Sequence, residues 1–94
     1  MNQAGEKVIV TVIGADRIGI IADVTRILAD TQVNIVDISQ TIMQEFFVMI
    51  LLADLQRATV SFDELKARLV GKGEELGVRI DAQHQDVFRY MHRI

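Results

Sequence analysis

Residues 46–53 read Phe46-Phe47-Val48-Met49-Ile50-Leu51-Leu52-Ala53, eight apolar side chains in a row. A helix that spans a bilayer needs about 20 such residues, so this run is too short to cross one. Its length suits a strand buried on both faces. A second segment of the same kind lies near the start of the chain. Residues 7–14 (KVIVTVIG) alternate Val8, Val10 and Val12 with Ile9 and Ile13, so again neither set is polar. Strands of this kind belong in the middle of a sheet, and the segments around them have to supply edges and cover.

Between these two strands, Ile20, Ile21, Val24, Ile27 and Leu28 recur at helical spacing. Residues 33–43 (VNIVDISQTIM) mix polar and apolar residues as an edge strand does, and Gln44-Glu45 is short enough for a hairpin turn. After residue 53, Phe62, Leu65 and Leu69 mark a second helix, with Ser61 or Thr59 placed to cap it. Gly71 and Gly73 each weaken that helix by roughly 1 kcal/mol relative to Ala, so it either breaks there or runs on to Gly77. In residues 78–84, Val78, Ile80 and Ala82 alternate with Arg79, Asp81 and Gln83, a fourth strand. Val87, Phe88, Met91 and Ile94 then fit a short amphipathic C-terminal helix.

The order β-α-β-β-α-β predicts an α+β, ferredoxin-like βαββαβ sandwich, with antiparallel sheet order 4-1-3-2 and both helices on one face. In that order strands one and three are central and strands two and four are edges, which is how the apolar and polar residues are distributed. Two helices cover one face only. The other face would carry Ile9 and Ile13 with Phe47, Met49 and Leu51, or the opposite members of these sets. Such a face needs cover from the C-terminal helix and from a second subunit, which implies a homodimer.

The 94 residues amount to one domain, with an ordered core expected over about 7–94. There is no cysteine, which removes disulfides, thiolate metal sites and cysteine nucleophiles. The net charge is -3 and no run of like charge reaches three residues. Nucleic-acid binders need a basic patch to neutralise phosphates, so no nucleic-acid partner is expected. The polar start of the chain and the short apolar runs predict a cytoplasmic protein without a membrane partner.

Nothing in the sequence brackets a nucleophile, a base and an orienting acid, and His84 and His92 without cysteine give no metal-ligand spacing. The expectation is a non-enzyme without metal or cofactor. Arg17 stands where an acylphosphatase-like hydrolase would hold a phosphate, which keeps that alternative open. The stretch Gly14-Ala15-Asp16-Arg17-Ile18-Gly19-Ile20 joins the first strand to the first helix. Asp16 sits where a helix cap should. Gly19 leaves backbone N–H groups uncovered near the helix start, where a carboxylate is favoured. Asn34-Ile35 opens the next strand, and Asn34 offers a donor and an acceptor. Each also has a plain structural reading, with Asp16 a cap only, Gly19 a spacer and Asn34 a turn former. Asp37 reads as a solvated edge charge.

The run Asp16-Arg17-Ile18-Gly19-Ile20, with an apolar helix behind it and Asn34-Ile35 after, resembles the ACT domain. Asp37-Ile38-Ser39-Gln40-Thr41, the Phe-rich third strand and the ending FRYMHRI are similar to the short stand-alone prokaryotic members of that family. The resemblance covers the chain from about Lys7 onward. It implies a ferredoxin-like regulatory module that pairs with a second copy and binds an amino acid or related carboxylate at the pair's interface. Asp16, Arg17, Ile18, Gly19 and Ile20 would then line the site, backbone N–H groups taking the carboxylate, with Asn34 and Ile35 completing it. Where related sequences often have Pro before the glycine, this chain has Ile18, which loosens the loop and adds a donor. Any output would pass through another, unknown, protein partner. The competing reading is a ligand-free dimeric interaction scaffold.

Overall fold

A computed structural model describes residues 6–15 and 19–87. The elements are β1 (Lys7–Ala15), α1 (Ile20–Asp30), β2 (Asn34–Met43), β3 (Phe46–Asp54), α2 (Phe62–Leu76) and β4 (Arg79–His84). The sheet order is β2-β3-β1-β4 and every neighbouring pair is antiparallel. This is the ferredoxin-like order 4-1-3-2 read from the other edge. Residues 85–87 are helical, at the place where the C-terminal helix is expected; Phe88, Met91 and Ile94 lie outside the described residues.

Backbone hydrogen bonding explains where two strands begin one residue later than the side-chain pattern suggests. The Val33 N–H donates to the Leu28 carbonyl at 2.8 Å and closes α1, so β2 starts at Asn34. The Val78 N–H donates to the Gly73 carbonyl at 2.9 Å and closes α2, so β4 starts at Arg79.

Strand register decides which alternating set faces the helices. Val8, Val10 and Val12 stand opposite Ala53, Leu51 and Met49. These residues form one buried cluster with Ile20, Val24 and Leu28 of α1 and Leu65 and Leu69 of α2. The helix face therefore unites the valines of β1 with Phe47, Met49 and Leu51. The other face unites Ile9 and Ile13 with Leu52, Ile50, Val48 and Phe46, and this corrects the grouping of Ile9 and Ile13 with Phe47, Met49 and Leu51. On that second face Ile9 is 9% exposed, while Ile13 is 44%, Ile50 40% and Phe46 47% exposed. It is covered at the Lys7 end and open at the Ala15 end.

Helix α2 starts at a side-chain cap: the Ser61 hydroxyl accepts the Glu64 N–H at 3.1 Å, while the Glu64 carboxylate accepts from Arg68 one turn on. It continues through both interior glycines and stops at Gly77, whose φ of 76° is left-handed. Gly73 is buried against β4. A Cβ there would sit 2.8 Å from the Val78 carbonyl oxygen, so only glycine lets the helix approach the strand this closely. At Gly71 a Cβ would meet nothing within 4 Å.

Candidate functional site

The sequence divides the candidate site into a loop before α1 and the opening of β2. At the first, α1 is capped by Gly19, not Asp16. Gly19 has φ 97° and accepts the Asp23 N–H at 2.9 Å, with no side-chain cap. A cap is a backbone state, and a φ this positive is open to glycine at little cost. Asp16, Arg17 and Ile18 lie outside the described residues. The Ile20 side chain is buried in the core, so at this position only the backbone could meet a ligand, whereas Gly19 is exposed.

Asn34 and Ile35 sit at the other end of the sheet. Asn34 is opposite Asp54, and Asp54 is opposite Lys7, the first residue of β1. Ala15, the last residue of β1, is opposite Phe46, which is opposite Met43. Eight steps of about 3.4 Å separate Lys7 from Ala15, so the two halves lie roughly 27 Å apart within one chain. The structure does not bring Asn34 and Ile35 to Gly19 in a single protomer.

The Asn34 end is a built cleft of about 440 Å³, lined by Gln32, Val33, Asn34, Asp54, Gln56 and Arg57. Its walls are tied together through Thr31, which is buried at the C-cap of α1. The Thr31 hydroxyl donates to the Ile27 carbonyl at 2.8 Å, and its own carbonyl accepts the Thr59 N–H at 2.9 Å. That bond fixes the β3–α2 loop beside the α1–β2 turn. Within the loop, the Asp54 carboxylate accepts the Gln56 N–H at 2.8 Å and lies 3.8 Å from the Lys7 ammonium. Gln32 holds φ 58°, as a residue just past a helix end often does. The side chains of Gln32, Asn34, Gln56 and Arg57 have no intramolecular polar partner among the described residues. Gln56 and Arg57 were not singled out by sequence; polar residues in a loop carry no periodic signal.

Strand β2 has one neighbour, β3, so its outer edge is free among the described residues. It is ten residues long, with Val36, Ile38, Ile42 and Met43 all exposed and Asp37 its one charged residue. The Asp37 carboxylate accepts the N–H of Ile38 at 2.8 Å, a local contact that fits its reading as an edge charge. A β-bulge lies between Ile35 and Asp37. His84 ends β4, stacked on Phe62 at 4.0 Å with Nδ1 3.0 Å from the Glu6 carboxylate; it lies at the Lys7 end of the sheet, on the far side of β1 from Asp54 and Asn34. Among the described residues no group of three or more His, Cys, Asp or Glu could hold a metal ion, and no helix is long and apolar enough to cross a membrane.

Comparison with known proteins agrees with this architecture. The ACT domain profile matches residues 6–83. A UPF0237 protein of Methanocaldococcus jannaschii is 53% identical over 88 residues, covering 94% of this chain and 98% of the relative. A UPF0237 protein of Clostridium acetobutylicum is 54% identical over 88 residues, covering 94% and 99%. An ACT domain protein from Streptococcus pneumoniae superimposes with a TM-score of 0.77 at 35% identity, covering 88% of this chain and 93% of that one.

Proposed function

Because this chain belongs to the ACT domain family, whose members are regulatory small-molecule-binding modules, we propose that it is a homodimeric, cytoplasmic sensor of an amino acid or related carboxylate. The observation that carries the reading is the separation of the two candidate half-sites along one sheet. A two-fold dimer that joins β2 to its own copy runs the two strands antiparallel. Asn34 of one chain then lies beside the Met43 end of the other. Met43 is level with Ala15, from which the chain leads to Gly19. The pairing thus sets the cleft of one protomer against the loop before α1 of its partner, and two equivalent sites form at the interface. The β2 edge, free among the described residues and carrying exposed Val36, Ile38, Ile42 and Met43, supports that pairing, since such an edge is a template for another strand.

Ligand at such an interface favours the dimer over the monomer, and that difference is what a partner protein could read. Backbone N–H groups at Gly19 and Ile20 would face the carboxylate, with Asn34 and Ile35 from the other chain. The test is thermal unfolding of the full chain against the common amino acids and a few related carboxylates. A ligand at 100 times its dissociation constant adds about 2.7 kcal/mol, and each kcal/mol moves the midpoint by roughly 4–8 °C for a domain of this size. One or a few responders support the sensor. The open apolar patch of Ile13, Phe46 and Ile50 favours a second reading, a dimeric scaffold for a protein partner. No response at millimolar concentration selects that reading.

A further inference from the structure

We infer that the cleft at the start of β2 reads a zwitterion through two opposite charges, Arg57 for the carboxylate and Asp54 for the ammonium. This deepens the sensor reading and rests on it. Five of the cleft's six lining residues are polar, and they include one cation and one anion. Arg57 is exposed and free of intramolecular polar partners among the described residues, so its five donors remain open to a ligand. A guanidinium binds a carboxylate in a two-point fork, which fixes orientation as well as charge.

Asp54 is the complementary group. It is half-buried, and the N–H of Gln56 holds one carboxylate oxygen in place. The other oxygen has only the Lys7 ammonium at 3.8 Å, a long ion pair that leaves it able to accept from a ligand ammonium. The amides of Gln32, Asn34 and Gln56 supply neutral donors and acceptors around the two charges. The volume of about 440 Å³ lies within the usual range for small-molecule sites. Thr31 ties the backbone of the two walls together and the Gln56 N–H fixes the Asp54 carboxylate, while the Arg57 side chain is left to close on a ligand.

A carboxylate anchored by Arg57 differs from one held only by N–H groups before α1. An amine-free carboxylate would also bind worse than the matching amino acid. The experiment is calorimetric titration of the full-length protein with the twenty common L-amino acids, followed by each responder's α-hydroxy analogue. Arg57→Gln is the main variant, and Arg26→Gln, on an exposed position of α1, is the control. Because Arg57 makes no polar contact among the described residues, R57Q should melt at the unaltered temperature, and an unchanged midpoint separates lost binding from lost folding. The expected result is about tenfold or greater weakening in R57Q, the scale of a charge-assisted bond, and no change in R26Q. The hydroxy analogue should bind the unaltered protein about tenfold more weakly, and D54N should remove most of that preference. If an amino acid binds and R57Q keeps the unaltered affinity, the charge assignment falls while the sensor reading stands. If no amino acid binds the unaltered protein, the charge assignment falls, and the sensor reading falls with it only if the related carboxylates of the thermal panel are silent too.

Discussion

Strand β4 closes one side of the sheet with six residues, and β2 closes the other with ten. On β4, Ile80 and Ala82 are buried under α2, while Arg79 and Asp81 alternate with them on the other side. Lys66 of α2 reaches across to Asp81 at 3.5 Å, and Glu6 pairs with His84 at its end. Strand β2 makes few contacts with either helix and presents exposed Ile38 and Ile42, the latter 61% exposed, with a single carboxylate along its length. One edge is protected by charge and shortness, the usual defence against unwanted pairing. The other is long and has only Asp37 and the bulge beside it to oppose pairing. In the proposed homodimer that edge is the interface, and the two half-sites would meet across it.

The most severe way to break this comparison is to give β2 the charge that β4 already has. Ile38→Lys with Ile42→Lys should weaken self-association by about 100-fold or more, since each buried Ile contributes roughly 1.5–3 kcal/mol. Sedimentation equilibrium would read it as monomer at concentrations where the unaltered chain is paired. A smaller effect sharpens the β4 side, where packing rather than pairing dominates. Gly73→Ala should destabilise the fold by about 1–3 kcal/mol, because its methyl must displace the Val78 backbone. Gly71→Ala, two residues away on an open face, should stabilise it by roughly 0.5–1 kcal/mol. Urea denaturation of the pair distinguishes the two glycines by sign. The smallest effect belongs to the bridge beside β4. Lys66→Ala should cost no more than about 0.5 kcal/mol, because the pair is long at 3.5 Å and both side chains are partly open to solvent.

The elements, their order and the identity of the edge strands were legible in the sequence because they rest on periodicity. Ser61 and Gly77 were among the helix ends that residue type marks, but the choice of Ser61 over Thr59, and of Gly77 over a break at Gly71 or Gly73, came from the structure. The start of α1 was not legible, because Gly19 caps it through a backbone angle while Asp16 carries the more familiar side chain. Nor could alternation alone say which set of β3 joins the valines of β1, since both sets are apolar and register decides. The candidate site was half legible. Gly19 and Asn34 stand out by type, but their placement at opposite ends of the sheet is a property of topology. Arg57 and Gln56 became visible only when the Thr31–Thr59 bond brought their loop to the end of α1.

The claim on which the rest depends is that β2 is paired in solution with β2 of a second copy. Amide hydrogen exchange, followed residue by residue at several protein concentrations, tests it directly, because an unpaired edge leaves alternate N–H groups open to solvent. The account predicts that at high concentration both the inward and outward N–H groups of β2 exchange slowly. On dilution the outward set alone should lose protection, with β4 unchanged. Outward β2 amides that exchange at open-strand rates at every concentration would contradict it.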